Sequence, residues 1–267
     1  MAKGSHLKAV DKHELYQKSV QNPEFELDFI EKTFREIRNR RPYAMREDFC
    51  GTALSSCEWV ARSPQNHAHA YDIDTEVLDW GRANNARDLT PKQQARLSIE
   101  NCNVLSVRQS NFDACQAFNF SYWIFQERKQ LLKYFRNVHR SLCTDGVFFM
   151  DAFGGFEAHK TQKEKREVDG FHYIWEQEQY NAATAEMHCK IHFQLDNGKK
   201  LRNAFSYVWR LWGAKEIREA LIDAGFSKTV LYLQEFDDET DEPLDSFVAT
   251  DFAEDYACWV GYIVAIK

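Results

Sequence analysis

From Tyr43 to Met150 the chain repeats one unit, a short apolar segment, a tight turn and a helical stripe, and this repetition limits the fold more than any other feature. Tyr43 to Asp48 reads as a strand that meets Cys50-Gly51-Thr52-Ala53, after which Leu54 to Ala61 has helical character. His67 to Tyr71 leads in the same way to Asp72-Ile73-Asp74, with Val77, Leu78 and Trp80 on the helix beyond. Arg96 to Asn103 gives a third strand and Asp113 to Phe120 a fourth, followed by an amphipathic helix carrying Leu131, Leu132, Phe135, Val138 and Leu142. Asp145-Gly146 then turns the chain into Val147-Phe148-Phe149-Met150, a continuous apolar run of the kind buried on both faces of a parallel sheet. Strands alternating with helices at this pitch require right-handed crossovers. The expected fold is α/β, a Rossmann-like, doubly wound, mostly parallel sheet with ligands at the carboxyl ends of its strands.

The flanking segments read differently. Asn22-Pro23 is a helix start, and Leu27, Ile30, Phe34 and Ile37 follow at three- and four-residue spacing, so residues 1–40 are expected to form a helical cover, with Tyr16 ahead of that helix. From Phe171 to Trp212 the pattern alternates: Met187, Cys189, Ile191, Phe193 and Leu195 face one way and His188, Lys190 and His192 the other, with a hairpin signal at Asp196-Asn197-Gly198. Residues 157–212 are read as an antiparallel insert over the ligand edge, within a single domain of residues 1–267. Lys160 to Glu167, of mixed charge, is read as an exposed helix or mobile segment, with a lid as the lesser alternative. A helix closed by Gly225, a strand from Thr229 to Leu233, an acidic loop and a strand from Trp259 to Ile266 complete the chain.

Charge and composition narrow the partners. A net charge of −7 disfavours a nucleic-acid backbone, whose binding rests on Lys and Arg contacts to phosphates. No long apolar stretch marks a membrane span and the first ten residues lack an apolar signal core, so a cytoplasmic location is expected. Seven scattered cysteines without a C-x-x-C pair argue against disulfides and a zinc knuckle. His188 and His192 would lie about 13 Å apart along a strand, too far for one metal, and the acidic run Asp237-Asp238-Glu239 with Asp241 and Glu242 lacks calcium-loop spacing, so no metal site is expected. The aromatic share of 14% suits a well-packed core, or a pocket for a cationic centre.

The chemistry concentrates in Glu47-Asp48-Phe49-Cys50-Gly51-Thr52-Ala53, with Asp72 about 20 residues after Gly51. In such a unit a small residue admits close approach of a nucleotide-like cofactor, and the later acid accepts from its ribose hydroxyls. A dinucleotide site wants three glycines around its pyrophosphate. Here Phe49 and Ala53 replace two of them, which disfavours phosphate cradling.

At these residues the sequence resembles the class I S-adenosylmethionine (SAM)-dependent methyltransferases, whose first motif runs acidic-x-Gly-x-Gly-x-Gly. Glu47 matches the acid and Gly51 the middle glycine, while Phe49 and Ala53 depart from it. The resemblance implies SAM as cofactor, with S-adenosylhomocysteine as product, and a cofactor site of Tyr16, Glu47, Phe49, Cys50, Gly51, Ala53, Asp72, Ile73, Asn103, Val104, Phe118 and Asn119. In it Asp72 takes the ribose, the Asn103 carbonyl accepts from the adenine amino group and Val104 offers its N–H to the ring. Asn119-Phe120-Ser121-Tyr122 has the Asn-x-x-Tyr spacing of the Asn-Pro-Pro-Tyr motif of amino-group methyltransferases without either proline, the alternative being a cofactor-contacting loop.

The implied activity is methyl transfer to a small-molecule acceptor, whether amine, carboxylate, hydroxyl or thiol. Tyr122 and Asp151 are the positional candidates for proton transfer. Trp123, Tyr173 and Trp175 are expected to contact the acceptor, with Tyr207 and Trp209 in the same roof. Two other readings stay open, a nicotinamide-dependent oxidoreductase on the same fold and a catalytically silent SAM-binding partner protein.

Overall fold

The computed structural model describes residues 11–237, 243–253 and 255–267. Helix α1 (Lys12–Val20), capped by the Asp11 carboxylate, precedes α2 (Pro23–Arg38), where Asn22 caps and Pro23 fills a first-turn position that needs no N–H donor. Then follow β1 (Ala44–Asp48), α3 (Leu54–Arg62), β2 (His67–Asp72), α4 (Thr75–Asn84), the short α5 (Pro91–Gln94), β3 (Leu97–Asn101), β4 (Phe112–Ala117), α6 (Arg128–Ser141) and β5 (Leu142–Gly154). Strands β6 (Gln162–Val168), β7 (Phe171–Asn181), β8 (Glu186–Leu195) and β9 (Lys200–Arg210) are consecutive, and α7 (Ala214–Ala224), β10 (Lys228–Phe236), β11 (Pro243–Ala249) and β12 (Trp259–Ile266) end the chain.

The main sheet has the order β11-β10-β12-β5-β4-β1-β2-β3. Its pairs from β3 to β5 are parallel, while β12 runs antiparallel to β5 and β10. The winding reverses between β1 and β4, so the loops after these two strands flank the crevice where an open α/β sheet binds ligands. Alternation along β5 explains its apolar run. Val147 and Phe149 pack with Leu27, Ile30 and Phe34 of α2 and Trp59 of α3, whereas Phe148 and Met150 pack with Leu131, Phe135 and Val138 of α6. Each such side chain, taken fully from water, contributes about 1.5–3 kcal/mol.

β6 to β9 form a second, antiparallel sheet. Met187, Cys189, Ile191 and Phe193 are buried on its inner face, and the β8–β9 hairpin turns at Asn197 and Gly198, as the alternation indicates. Three expectations need correction. Gln162–Val168 is neither helix nor an irregular segment but the edge strand β6, paired along its length with β7; a run of polar residues hides the two-residue period, because both faces of this edge are wet. Asp145 and Gly146 do not separate helix from strand: β5 starts at Leu142 directly after α6, and the pair sits in a register shift against β4. Tyr16 lies within a helix of its own, α1, rather than ahead of the first helix.

All seven cysteines are unpaired. Among the described residues, one cluster has metal-ligand spacing, Asp113, Cys143 and Asp145, and the Arg40 guanidinium bonds both of its carboxylates. No helix among them is long and apolar enough to cross a membrane. Of the acidic run at Asp237 to Glu242, all but Asp237 lies outside the described residues.

Candidate active site

The turn between β1 and α3 places three consecutive odd-numbered residues at positive φ: Phe49 at 55°, Gly51 at 52° and Ala53 at 54°. Only glycine takes this conformation without penalty. The chain therefore keeps the turn geometry of a three-glycine motif with one glycine, and packing holds the other two positions. Phe49 is wedged against Phe125 and Tyr134, and Ala53 is fully buried. A Cβ on Gly51 would meet nothing within 4 Å, so the open side of the turn faces the crevice. From below, α4 presses on the same turn. A Cβ on Gly81 would lie 2.3 Å from the Thr52 carbonyl oxygen, which also accepts from the Asn85 amide at 3.0 Å.

Asp72, at the end of β2, accepts from the Gly51 N–H at 2.8 Å and the Asp74 N–H at 2.9 Å, one per carboxylate oxygen. Each oxygen keeps a lone pair for a further donor. Beside it Ile73 is 69% exposed, an apolar platform without a protein partner on its outer side. The exposed Asn103 accepts from Leu105 N–H at 2.9 Å, capping the turn Val104–Ser106, and the Val104 side chain is buried in the core. These residues fit a nucleoside with no phosphate: a carboxylate for hydroxyls, an apolar shelf for a ring and an open glycine.

Glu47 and Cys50 lie behind this surface. The buried Glu47 carboxyl accepts from the Ser56 N–H at 2.9 Å and from the Ser56 hydroxyl, capping α3, and burial pushes it up to about 7. Cys50 is buried with Ala53, Ala70 and Leu78. On the opposite face of β1, Arg46 and Asp48 form a wholly buried ion pair at 2.8 Å. Arg46 also donates to Asn137, Ser141 and the Val104 carbonyl, and the Tyr134 hydroxyl donates to Asp48. This network ties the turn to α6 and to the Val104 loop. Nothing in the sequence pattern marks it, since a charged pair two residues apart on a buried strand looks like noise in an apolar run.

The loop after β4 opens the second half of the site. Asn119 and Phe120 both have positive φ, 57° and 56°. Two such residues in succession aim their N–H groups at one point, a small anion nest. The Asp151 carboxylate, from β5, fills it, accepting from Asn119 at 2.6 Å and Phe120 at 2.9 Å. Proline, fixed near −65°, cannot occupy the Phe120 position in this conformation, so the loop keeps the Asn-x-x-Tyr spacing with a different backbone from an Asn-Pro-Pro segment.

Asp151 lies in the wall of a cavity of about 480 Å³ between this loop and the inner face of the second sheet. Tyr16, Tyr173, Trp175, Tyr207 and Trp209 supply aromatic walls, and Glu26, Glu164 and Arg166 the charge. Burial pushes the Asp151 carboxyl up to about 7 against the two N–H bonds that favour its charge. Glu26, in the first turn of α2, is pushed up to about 8 by burial and by the nearby Asp151 and Glu47. Sequence reading missed Glu26; its position four residues into a helix that otherwise covers the sheet was the available signal.

Three expected contacts fall elsewhere. Tyr122 is fully buried, with its hydroxyl donating to the Asp151 carbonyl at 2.8 Å, so it braces the Asp151 strand and does not reach the cavity. Trp123 is buried against Phe153 and Trp209 behind the lining. Phe118 points to the α2 side of the sheet, packed on Tyr262, because it continues the β4 alternation away from the crevice. Tyr16, Asn119, Tyr173 and Trp175 do line the cavity. Helix α1 closes the space between the two halves: Gln17 donates to the Thr52 hydroxyl at 2.7 Å, Asp11 accepts from the Trp80 indole, and Tyr16 packs on Phe205 of β9.

The strand order, the glycine turn and the acid at the end of β2 have the arrangement expected of the class I SAM-dependent methyltransferase fold. Comparison with known proteins agrees: residues 48–150 match the model of the methyltransferase-domain family. The fold is shared with a SAM-dependent methyltransferase from Clostridium acetobutylicum ATCC 824, at 17% identity and a TM-score of 0.65, covering 94% of this chain and 96% of that one. It is shared too with the sugar N-methyltransferase KedS8 from Streptoalloteichus sp ATCC 53650, at 16% identity and 0.63 over 100% and 98%, and with the SAM-bound amino pentose methyltransferase CalS10 from Micromonospora echinaspora, at 11% and 0.66 over 99% of each. No protein with a curated description matches the chain.

Proposed function

We propose that the protein transfers a methyl group from SAM to a nitrogen-bearing small molecule held in the cavity between the Asn119 loop and the second sheet. The carrying observation is the cavity itself: it opens beside the crevice of the main sheet, and its walls are aromatic rings and carboxyls, a lining suited to a basic nitrogen. The sugar and amino pentose specificities of KedS8 and CalS10 support the same class of acceptor.

SAM supplies a methyl group already activated on a sulfonium. The chain's residues bind, align and exclude water. Asp72 accepts from the ribose, Ile73 shelves the adenine, Asn103 and the Val104 N–H face its edge, and the open face of Gly51 admits the methionine part, with Phe49, Ala53 and Glu47 holding the turn from behind. Asn119 and the aromatic walls position the acceptor, and Tyr16 with α1 closes over both ligands. In this reading α1, α2 and residues 157–212 are parts of one catalytic unit built around the main sheet.

A screen of metabolite pools with methyl-labelled SAM tests the reading. A labelled product that depends on the protein is expected, and the absence of any product with SAM demonstrably bound would favour a silent SAM-binding protein. NAD binding in place of SAM would favour the oxidoreductase.

A further inference from the structure

The lining residues include three carboxyls, Glu26, Asp151 and Glu164, and one cation, Arg166. The Arg166 guanidinium is engaged already, donating to the Ser19 carbonyl and lying over the Tyr173 ring at 5.3 Å. Of the carboxyls, Asp151 is fixed by two backbone N–H groups, and Glu26 bonds the Asn22 backbone. The other titratable groups facing this space are the hydroxyls of Tyr16, Tyr173, Tyr207 and Tyr262, all raised by burial and so neutral, and the thiol of Cys258. No lysine or further arginine lines the cavity among the described residues. Two carboxyls facing one aromatic-walled space repel when both are ionised, and Arg166, the one cation in the wall among the described residues, forms an ion pair with neither of them.

On the reading that this cavity holds the acceptor, we infer that Glu26 and Asp151 form the carboxyl pair that receives the acceptor's basic nitrogen, and that Glu26 takes the proton this nitrogen must shed. An ammonium entering the cavity brings a positive charge to the pair, and the rings of Trp175 and Tyr207 add their faces to its binding. Glu26 accepts one N–H proton and frees the nitrogen lone pair. That lone pair forms the new N–C bond, the C–S bonding pair stays on sulfur, and a neutral thioether and a methylated ammonium result. Burial suits Glu26 to this step, since a carboxyl that titrates near neutrality is a stronger base than an exposed one. A hydroxyl acceptor would bring no charge, and the pair would relieve its repulsion by holding a proton.

Two measurements on the full chain with SAM or S-adenosylhomocysteine bound test this. In carbon-13 NMR of protein labelled at the Glu side-chain carboxyl, the signal missing from E26Q is expected to titrate well above the ordinary range and to move down in D151N, where the repelling partner is neutral. A Glu26 signal titrating as an exposed glutamate does, or one indifferent to D151N, overturns the pair. In methyl-transfer assays with amino sugars and their hydroxyl counterparts, the wild type is expected to methylate the amines, and E26Q to lose about 100-fold or more in kcat with the acid limb of its pH profile, partly restored in E26D, at unchanged SAM affinity. Full turnover by a folded E26Q overturns the role of Glu26. Transfer to the hydroxyl compounds alone overturns the amine assignment while leaving the methyltransferase reading intact. Transfer to neither counts against the acceptor reading beneath, and the NMR titration still decides the pair.

Discussion

Gly81→Ala has an effect whose sign distinguishes this structure from a simple helix. Gly81 is buried within α4, and in a helix interior an alanine in place of glycine normally adds about 1 kcal/mol of stability. Here the new Cβ would stand 2.3 Å from the Thr52 carbonyl oxygen and 2.8 Å from its carbon, where ordinary contact begins at 3.4 Å, so helix and turn must separate by about 1 Å. Overpacking of that kind costs about 1–3 kcal/mol, and the Asn85 bond to the same oxygen is stretched as well. The two effects sum to a net loss of about 0–2 kcal/mol. Because the displaced segment is the turn that carries Gly51, SAM affinity should fall more than stability does. Thermal melts with calorimetric SAM titration read both quantities. A more stable variant that binds SAM normally would refute the close packing of α4 on the turn.

Other substitutions probe the remaining parts. Asp72→Ala should weaken SAM binding by about 1–3 kcal/mol in calorimetry, through loss of the hydroxyl acceptor and of the bond from Gly51 N–H; unchanged affinity would remove the ribose assignment. For Glu26, burial raises the folded value from 4.5 to about 8, so the fold favours the protonated form: its contribution is complete below about pH 4.5 and is lost as pH rises through about 8. Without an acceptor, E26Q should therefore melt with the wild type near pH 4 and above it near pH 8, by up to a few kcal/mol, whereas equal melts at both pH values would place Glu26 in water. Trp175→Ala should reduce turnover on the identified acceptor while leaving SAM affinity within a few-fold, and an unaffected turnover would move the acceptor out of this cavity.

The main sheet was legible because its physics is local and periodic: apolar runs, turns with glycine and caps such as Asn22 each follow from a few adjacent residues. The places of Gly51, in the turn after β1, and Asp72, the last residue of β2, were legible for the same reason, whereas Asp151 lies within β5, which continues to Gly154. What escaped depends on contacts distant in sequence. The edge strand β6 is polar on both faces, so only its pairing with β7 reveals it. Arg46 and Asp48 become sensible once Asn137 and Ser141 from α6 meet them. Tyr122 and Asp151 were candidates for the same role by position alone, yet Tyr122 turns into the core, its hydroxyl on the Asp151 carbonyl, while the Asp151 carboxylate on β5 faces the cavity wall. Glu26 is a cavity residue only because α2 crosses the mouth formed by strands more than a hundred residues away.

The most direct test of the central claim is a crystal structure with S-adenosylhomocysteine bound. The account predicts the ribose hydroxyls on the Asp72 carboxylate, the ring over Ile73, and the sulfur at the cavity beside Asn119, aimed toward Glu26 and Asp151. A ribose away from Asp72, or a sulfur turned away from the aromatic cavity, would contradict it.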